Sequence, residues 1–106
     1  MKRDLPPLNS LRIFEMIAGY PSFSKAAEEN HMTKGAISQQ IKILEDWYGI
    51  TLFNRSKAGI ELTEVGNILL NKCQSVFSEL EFISVNIKRS SPRTVLEHRL
   101  FYKPVK

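Results

Sequence analysis

Lys34, Ser38 and Lys42 recur at every fourth position, with Gly35 and Gln39 beside the first two. Ser, Gln and Lys side chains can donate to or accept from the edges of base pairs, and a glycine lets a backbone approach closely. Such a row can act only if one rigid element presents it on one side. A helix over 33–48, at about 3.6 residues per turn, does so. It puts Ile37, Ile41, Leu44 and Tyr48 on the other side as an apolar stripe, with Ile43 and Trp47 beside it. Thr33 can cap this helix by accepting from a backbone N–H near Gly35 or Ala36, leaving the helix start to favour a phosphate. Periodicity by itself does not separate a face that reads bases from one that is merely wet.

The flanking elements decide how such a helix is held. Ser24 opens a shorter helix in which Phe23 anchors the start and the small Ala26 and Ala27 permit a close crossing. Asn30, His31 and Met32 form a brief break, where Met32 is expected to plug the core and His31 to face solvent. No partner stands at metal-ligand spacing from His31, so no metal site is expected. Two helices meeting at such a break have the layout of a helix-turn-helix reader of DNA.

Beyond it, Thr51, Leu52 and Phe53 have strand character, Lys57, Ala58 and Gly59 can turn, and Ile60, Glu61 and Leu62 return. The expected hairpin carries Arg55 and Lys57 at its tip, where cations can reach phosphates or a narrow minor groove. The alternative is a solvated basic turn. From Thr63, a plausible N-cap followed by Glu64 against the helix dipole, a long helix is expected to run to about Lys88. Leu69, Cys73, Val76, Leu80, Ile83 and Ile87 recur at spacings of four, three, four, three and four. A seam of this kind wants a partner helix, although Leu70 and Phe77 widen the stripe enough for part of it to lie on the domain itself.

These residues resemble the N-terminal domain of a LysR-type transcriptional regulator, a family that shares a winged helix-turn-helix followed by a long linker helix. The likeness covers about residues 5–88. It runs through L-x-x-L-R-x-F at Leu8–Phe14, S-F-S-K-A-A at Ser22–Ala27, A-I-S-Q-Q-I-K-x-L-E at Ala36–Glu45, G-I-T-L-F-N-R at Gly49–Arg55 and L-T-E-V-G at Leu62–Gly66. The resemblance implies that Thr33, Lys34, Gly35, Ser38, Gln39 and Lys42 occupy recognition-helix positions. It likewise implies that Ser24 and Lys25 contact phosphates, that Arg55 lies on DNA, and that two linker helices pair antiparallel in a homodimer. Lys34 stands where the family most often has Gln, and Gln39 where it often has Arg.

The expected fold is therefore mainly α: a winged helix-turn-helix of three helices and a small β-hairpin over 1–62, a long dimerisation helix over 63–88, and a basic tail over 89–106. Its partners would be double-stranded DNA, read as an inverted repeat, and a second copy of the chain. A module that binds another regulator through the winged helix and the seam is the alternative, because a fold alone does not establish its ligand.

The 106 residues, 42% apolar and 25% charged, suffice for one small domain. No apolar run approaches the roughly 20 residues of a membrane span, and no signal peptide opens the chain, so a cytoplasmic location is expected. The net charge of +4 is not spread over the reader. Residues 1–30 carry four basic and four acidic side chains, 31–62 four and three, 63–88 two and three, and 89–106 five and one. DNA binding thus rests on where individual cations project, and the tail would add salt-sensitive, sequence-blind affinity at most.

Cys73, the single cysteine, excludes an internal disulfide and reads as a small core residue. An enzyme is not expected: the histidines are His31 and His98 alone, and neither a phosphate-binding Gly-rich loop nor a nucleophile, base and acid trio is present. No cofactor is implied. Ser90–Lys106 are too few for the family's effector-binding domain, whether the chain is a truncated reader or a natural single-domain regulator. Residues 94–103 alternate partly like a strand, which alone would be marginal.

Overall fold

Amphipathic spacing, with hydroxyl caps on three of the four helices, sets the element boundaries within a few residues of those the sequence predicts. The computed structural model describes residues 2–90, and the elements run α1 (Leu8–Ile17), α2 (Phe23–Glu29), α3 (Lys34–Tyr48), β1 (Phe53–Ser56), β2 (Gly59–Leu62) and α4 (Glu64–Arg89). The strand-like stretch at 94–103 and nearly all of the basic tail lie outside the described residues. Two compact units divide the chain, the first ending at Gln74 and the second beginning at Ser75.

In the first unit α1 and α2 both pack on α3. Ile13, Phe14 and Ile17 of α1 meet Ile37, Ile41 and Leu44 of α3, and Phe23, Ala26 and Ala27 fill the remaining side from α2. The two small alanines are buried, as a close helix crossing requires. A part-buried polar tie links α1 to α3, with buried Ser10 Oγ donating to the Oε1 of half-buried Gln40 at 2.7 Å. The apolar stripe of α3 is narrower than its spacing suggests. Ile43, Trp47 and Tyr48 remain 38%, 41% and 39% exposed, because the core accepts only the 37–41–44 row. Trp47 and Tyr48 instead pack edge to face on each other, with centroids 5.0 Å apart.

Thr33 caps α3 by accepting from Ala36 N at 3.0 Å. The cap of α2 differs from expectation: Ser22, not Ser24, accepts from Lys25 N at 3.0 Å, and the helix starts at Phe23. His31 sits exposed in the turn with φ 54, and Met32 is half-buried there.

β1 and β2 pair antiparallel, Phe53 with Leu62, Asn54 with Glu61, Arg55 with Ile60 and Ser56 with Gly59. The ladder begins at Phe53 rather than Thr51, because the backbone before it is already engaged. Glu45 Oε2 accepts from Leu52 N at 2.7 Å and Phe53 N at 3.2 Å, while Leu52 O accepts from Thr63 N at 2.9 Å. Arg55 is consequently a strand residue, leaving Lys57 and Ala58 as the turn. The hairpin returns through Gly59, at φ 128, where a β-carbon would run into the carbonyl of Pro21. Ile60 N donates to that same oxygen at 3.1 Å, docking the hairpin on the α1–α2 loop.

Thr63 caps α4, accepting from Gly66 N at 3.0 Å and donating from its hydroxyl to Thr51 O at 2.9 Å. Gly66 is buried against the carbonyl of Leu52, and Cys73 is 5% exposed. Cys73 is thus a core residue of the first unit, with its thiol pushed above the ordinary range by burial and then by the Glu15 charge. In the second unit Val76, Leu80, Ile83 and Ile87 are all exposed, Leu80 to 58%.

A β-carbon at Gly66 would meet the Leu52 carbonyl and the Leu62 side chain, and the Leu52 backbone, held by Glu45 and Thr63, cannot give way cheaply. Gly66→Ala is expected to lower stability by about 1–3 kcal/mol despite alanine's better helix propensity, as measured by urea unfolding. An unchanged or raised midpoint would show that the contact is not close.

Candidate nucleic-acid interface

The face of α3 opposite its buried stripe carries the residues singled out by type. Lys34, Gly35, Gln39 and Lys42 are exposed and Ser38 is half-buried. No heavy atom lies within 4 Å of where a Gly35 β-carbon would be, so this end of the helix is open. Over the eight steps from Lys34 to Lys42 the row extends about 12 Å along the helix.

A shallow groove lies between the hairpin and the starts of α2 and α3, lined by Ser22, Phe23, Ser24, Lys34, Arg55, Ser56, Gly59 and Ile60. It brings together Ser24, Lys34 and Arg55, which are far apart in sequence, and no carboxylate lines it. Phe23 floors the groove at 3% exposure, and the Arg55 guanidinium carbon lies 4.4 Å from its ring centroid. Arg55 was expected at the tip of the hairpin. The strand register instead sets it one residue pair inside the closing Ser56–Gly59 pair, over α2. Of these two cations only Lys57 is in the turn, beside Ala58, and it does not line this groove.

The cations differ in how they are held. Lys25 Nζ lies 3.3 Å from Glu29 and 3.9 Å from Glu28, and Lys42 Nζ lies 3.1 Å from Asp46. All of these pairs are solvent-exposed and fall within one helix, so each is worth at most about 1 kcal/mol and can be exchanged for a phosphate oxygen. Among the described residues Lys34, Arg55 and Lys57 have no carboxylate within ion-pair distance.

Ser22, Phe23, Ser56 and Ile60 were not read from the sequence as groove residues. Ser22 and Ser24 stand two apart before the same alanine pair, and residue type does not say which of them caps. The lining by Ser56 and Ile60 follows from Gly59 and Ile60 docking on Pro21, a long-range contact with no local signature. Glu45 was also missed as the brace between α3 and β1. Its place beside Leu44 at the buried edge of α3 was the available clue.

Residues 8–67 match the bacterial regulatory helix-turn-helix protein, lysR family. The chain is 43% identical over 91 residues to the HTH-type transcriptional regulator TrpI of Pseudomonas aeruginosa, an alignment covering 86% of this chain and 31% of that protein. It is 40% identical over 96 residues to the glycine cleavage system transcriptional activator of Escherichia coli (strain K12), covering 91% and 32%. The chain therefore spans about a third of the length of these relatives, which are transcriptional regulators rather than enzymes.

Among solved structures, the BenM DNA-binding domain in complex with catB site 1 DNA is similar at a TM-score of 0.75 and 27% identity, covering 81% of this chain and 96% of that one. The CbnR DNA-binding domain in complex with DNA gives 0.70 and 29%, covering 80% and 97%.

The cap and the groove-lining hydroxyl can be told apart. Ser22→Ala removes the acceptor for Lys25 N and is expected to destabilise the fold by about 1 kcal/mol, whereas Ser24→Ala leaves stability near that of the unmodified chain. Equal losses from the two substitutions in thermal unfolding would contradict the cap assignment.

Proposed function

Because the chain belongs to the lysR family of bacterial regulatory helix-turn-helix proteins, we propose that it is a sequence-specific regulator that binds double-stranded DNA as a homodimer and reads an inverted repeat. The observation that carries this reading is the two-sided character of α3. One side is locked in the core by Ile37, Ile41 and Leu44, and the other offers Lys34, Ser38, Gln39 and Lys42 in one open row beside a cationic groove.

In this reading α3 enters the major groove with Thr33 and Gly35 at its leading end, where the helix start favours a phosphate. Ser38 and Gln39 discriminate bases, each good bidentate contact being worth about 1–3 kcal/mol. Lys34 lines the same groove as Arg55, which suits it to the backbone as well as to a base. Ser24, Lys25, Lys42, Arg55 and Lys57 supply the phosphate contacts that set register and carry the salt-dependent part of affinity.

Residues 1–62 are the proposed reader and 63–88 the proposed linker helix. The seam from Leu69 to Ile87 is the proposed interface, with exposed Val76, Leu80, Ile83 and Ile87 as its contacting part, Leu69 half-buried and Cys73 buried in the first unit. Exposed apolar rows would equally serve the alternative, a module that binds another regulator. Steep loss of duplex affinity with rising salt, together with preference for an inverted repeat, separates the two readings.

Selection of bound sequences from a random duplex pool at fixed salt tests the proposal. Gln39→Ala is expected to relax the preferred base at one position per half-site, and an identical motif for variant and unmodified chain would remove Gln39 from base reading. Arg55→Ala is expected to weaken binding to all duplexes and to reduce the slope of log affinity against log salt by about 0.9. For the interface, Leu80→Glu is expected to shift the chain from dimer to monomer in analytical ultracentrifugation while the circular dichroism of the first unit persists. A monomeric unmodified chain would overturn the dimer.

A further inference from the structure

We infer that Phe23 is the positioning residue for Arg55, an aromatic platform that holds the guanidinium over the groove while leaving its N–H edge free for a backbone phosphate. The inference rests on the DNA-binding reading above and adds to it a residue that itself touches no nucleic acid.

The geometry distinguishes Arg55 from the other cations. Lys25 and Lys42 are paired with carboxylates of their own helices, and among the described residues Lys34 and Lys57, which like Arg55 have no carboxylate within ion-pair distance, have no aromatic ring beneath them. Among the described residues Arg55 has neither an ion-pair partner nor a side-chain hydrogen bond, and what it meets is the face of a ring, 4.4 Å from guanidinium carbon to centroid. A cation over an aromatic face is attracted by the ring quadrupole without using any N–H donor. All five donors of the fork remain available for the bidentate geometry that suits phosphate.

The platform is fixed from below. Phe23 meets Phe53 edge to face at 5.8 Å, and Phe53 in turn meets the fully buried Phe14 at 5.4 Å. Phe53 is on the same strand as Arg55, two residues earlier, so the ring that supports the platform and the cation that rests on it share one backbone. A flexible arginine loses rotamer freedom when it grips a phosphate, and a side chain already stacked has less of it left to lose.

The competing account is that the Arg55 stem merely covers an apolar ring. In that case Phe23 would affect stability but not the way Arg55 binds.

Two measurements on the full chain decide. In nuclear magnetic resonance spectra of the free protein, the Arg55 δ and ε protons are expected upfield of their random-coil positions, moved there by the ring, and to return in Phe23→Leu. In duplex titrations with the selected sequence, Phe23→Leu is expected to lower affinity about 2- to 5-fold with the salt slope unchanged. On an Arg55→Ala background the same substitution is expected to cost no further affinity. Random-coil Arg55 shifts in the unmodified chain overturn the platform, including where Phe23→Leu fails to fold. An equal loss on both backgrounds also overturns it, since the ring would then act independently of Arg55. Absence of duplex binding by the unmodified chain overturns the DNA-binding reading and this inference together, whereas duplex binding with random-coil Arg55 shifts overturns the platform alone.

Discussion

Leu52 is the point at which the separate elements become one body. Its side chain is fully buried, its N–H is taken by the Glu45 carboxylate near the end of α3, and its carbonyl receives the N–H of Thr63 at the start of α4. The same carbonyl is what Gly66 packs against. One residue therefore ties α3, the hairpin and α4 together, and does so with the backbone groups a strand would otherwise use for its ladder. A buried backbone group must find a partner, and here those partners lie on different elements. The orientation of the hairpin relative to α3 follows from that bracing, as does the late start of β1.

The same bracing shapes the candidate interface. Once β1 begins at Phe53, the pairing register sets Arg55 opposite Ile60 and over α2, not at the turn. Docking of Ile60 and Gly59 on Pro21 then closes the hairpin against the α2 start, and the groove holding Ser24, Lys34 and Arg55 appears between them. Charge plays a modest part in this. The first 62 residues are nearly neutral in sum, so a local positive field arises from exclusion of carboxylates from one groove rather than from an excess of bases.

The long helix illustrates a different balance. Gly66 and Cys73 fall where the first unit needs a close approach and a small apolar group, whereas after Gln74 Val76, Leu80, Ile83 and Ile87 are exposed and only Phe77 is half-buried among the large apolar side chains described. A lone helix with a wet apolar row is stable only at the expense of hydrophobic burial forgone, and the proposed pairing of two chains recovers that burial. One heptad-like spacing thus serves an internal core at one end and the proposed interface at the other. Spacing alone cannot say where the change occurs.

Local physics was legible in the residues themselves. The 37–41–44 row, the paired alanines of α2, the Thr33 and Thr63 caps and the course of α4 to within a residue of its end all depend on periodicity or on a hydroxyl a few positions from an open N–H. Such interactions are set by near neighbours, and the sequence displays near neighbours directly. The exposure of Tyr48, the placement of Arg55 on Phe23 and the brace from Glu45 were decided only by tertiary structure. Each depends on which distant group arrives to cover a side chain or satisfy a backbone atom, and that follows from the packing of the whole unit rather than from the order of residues along any one element.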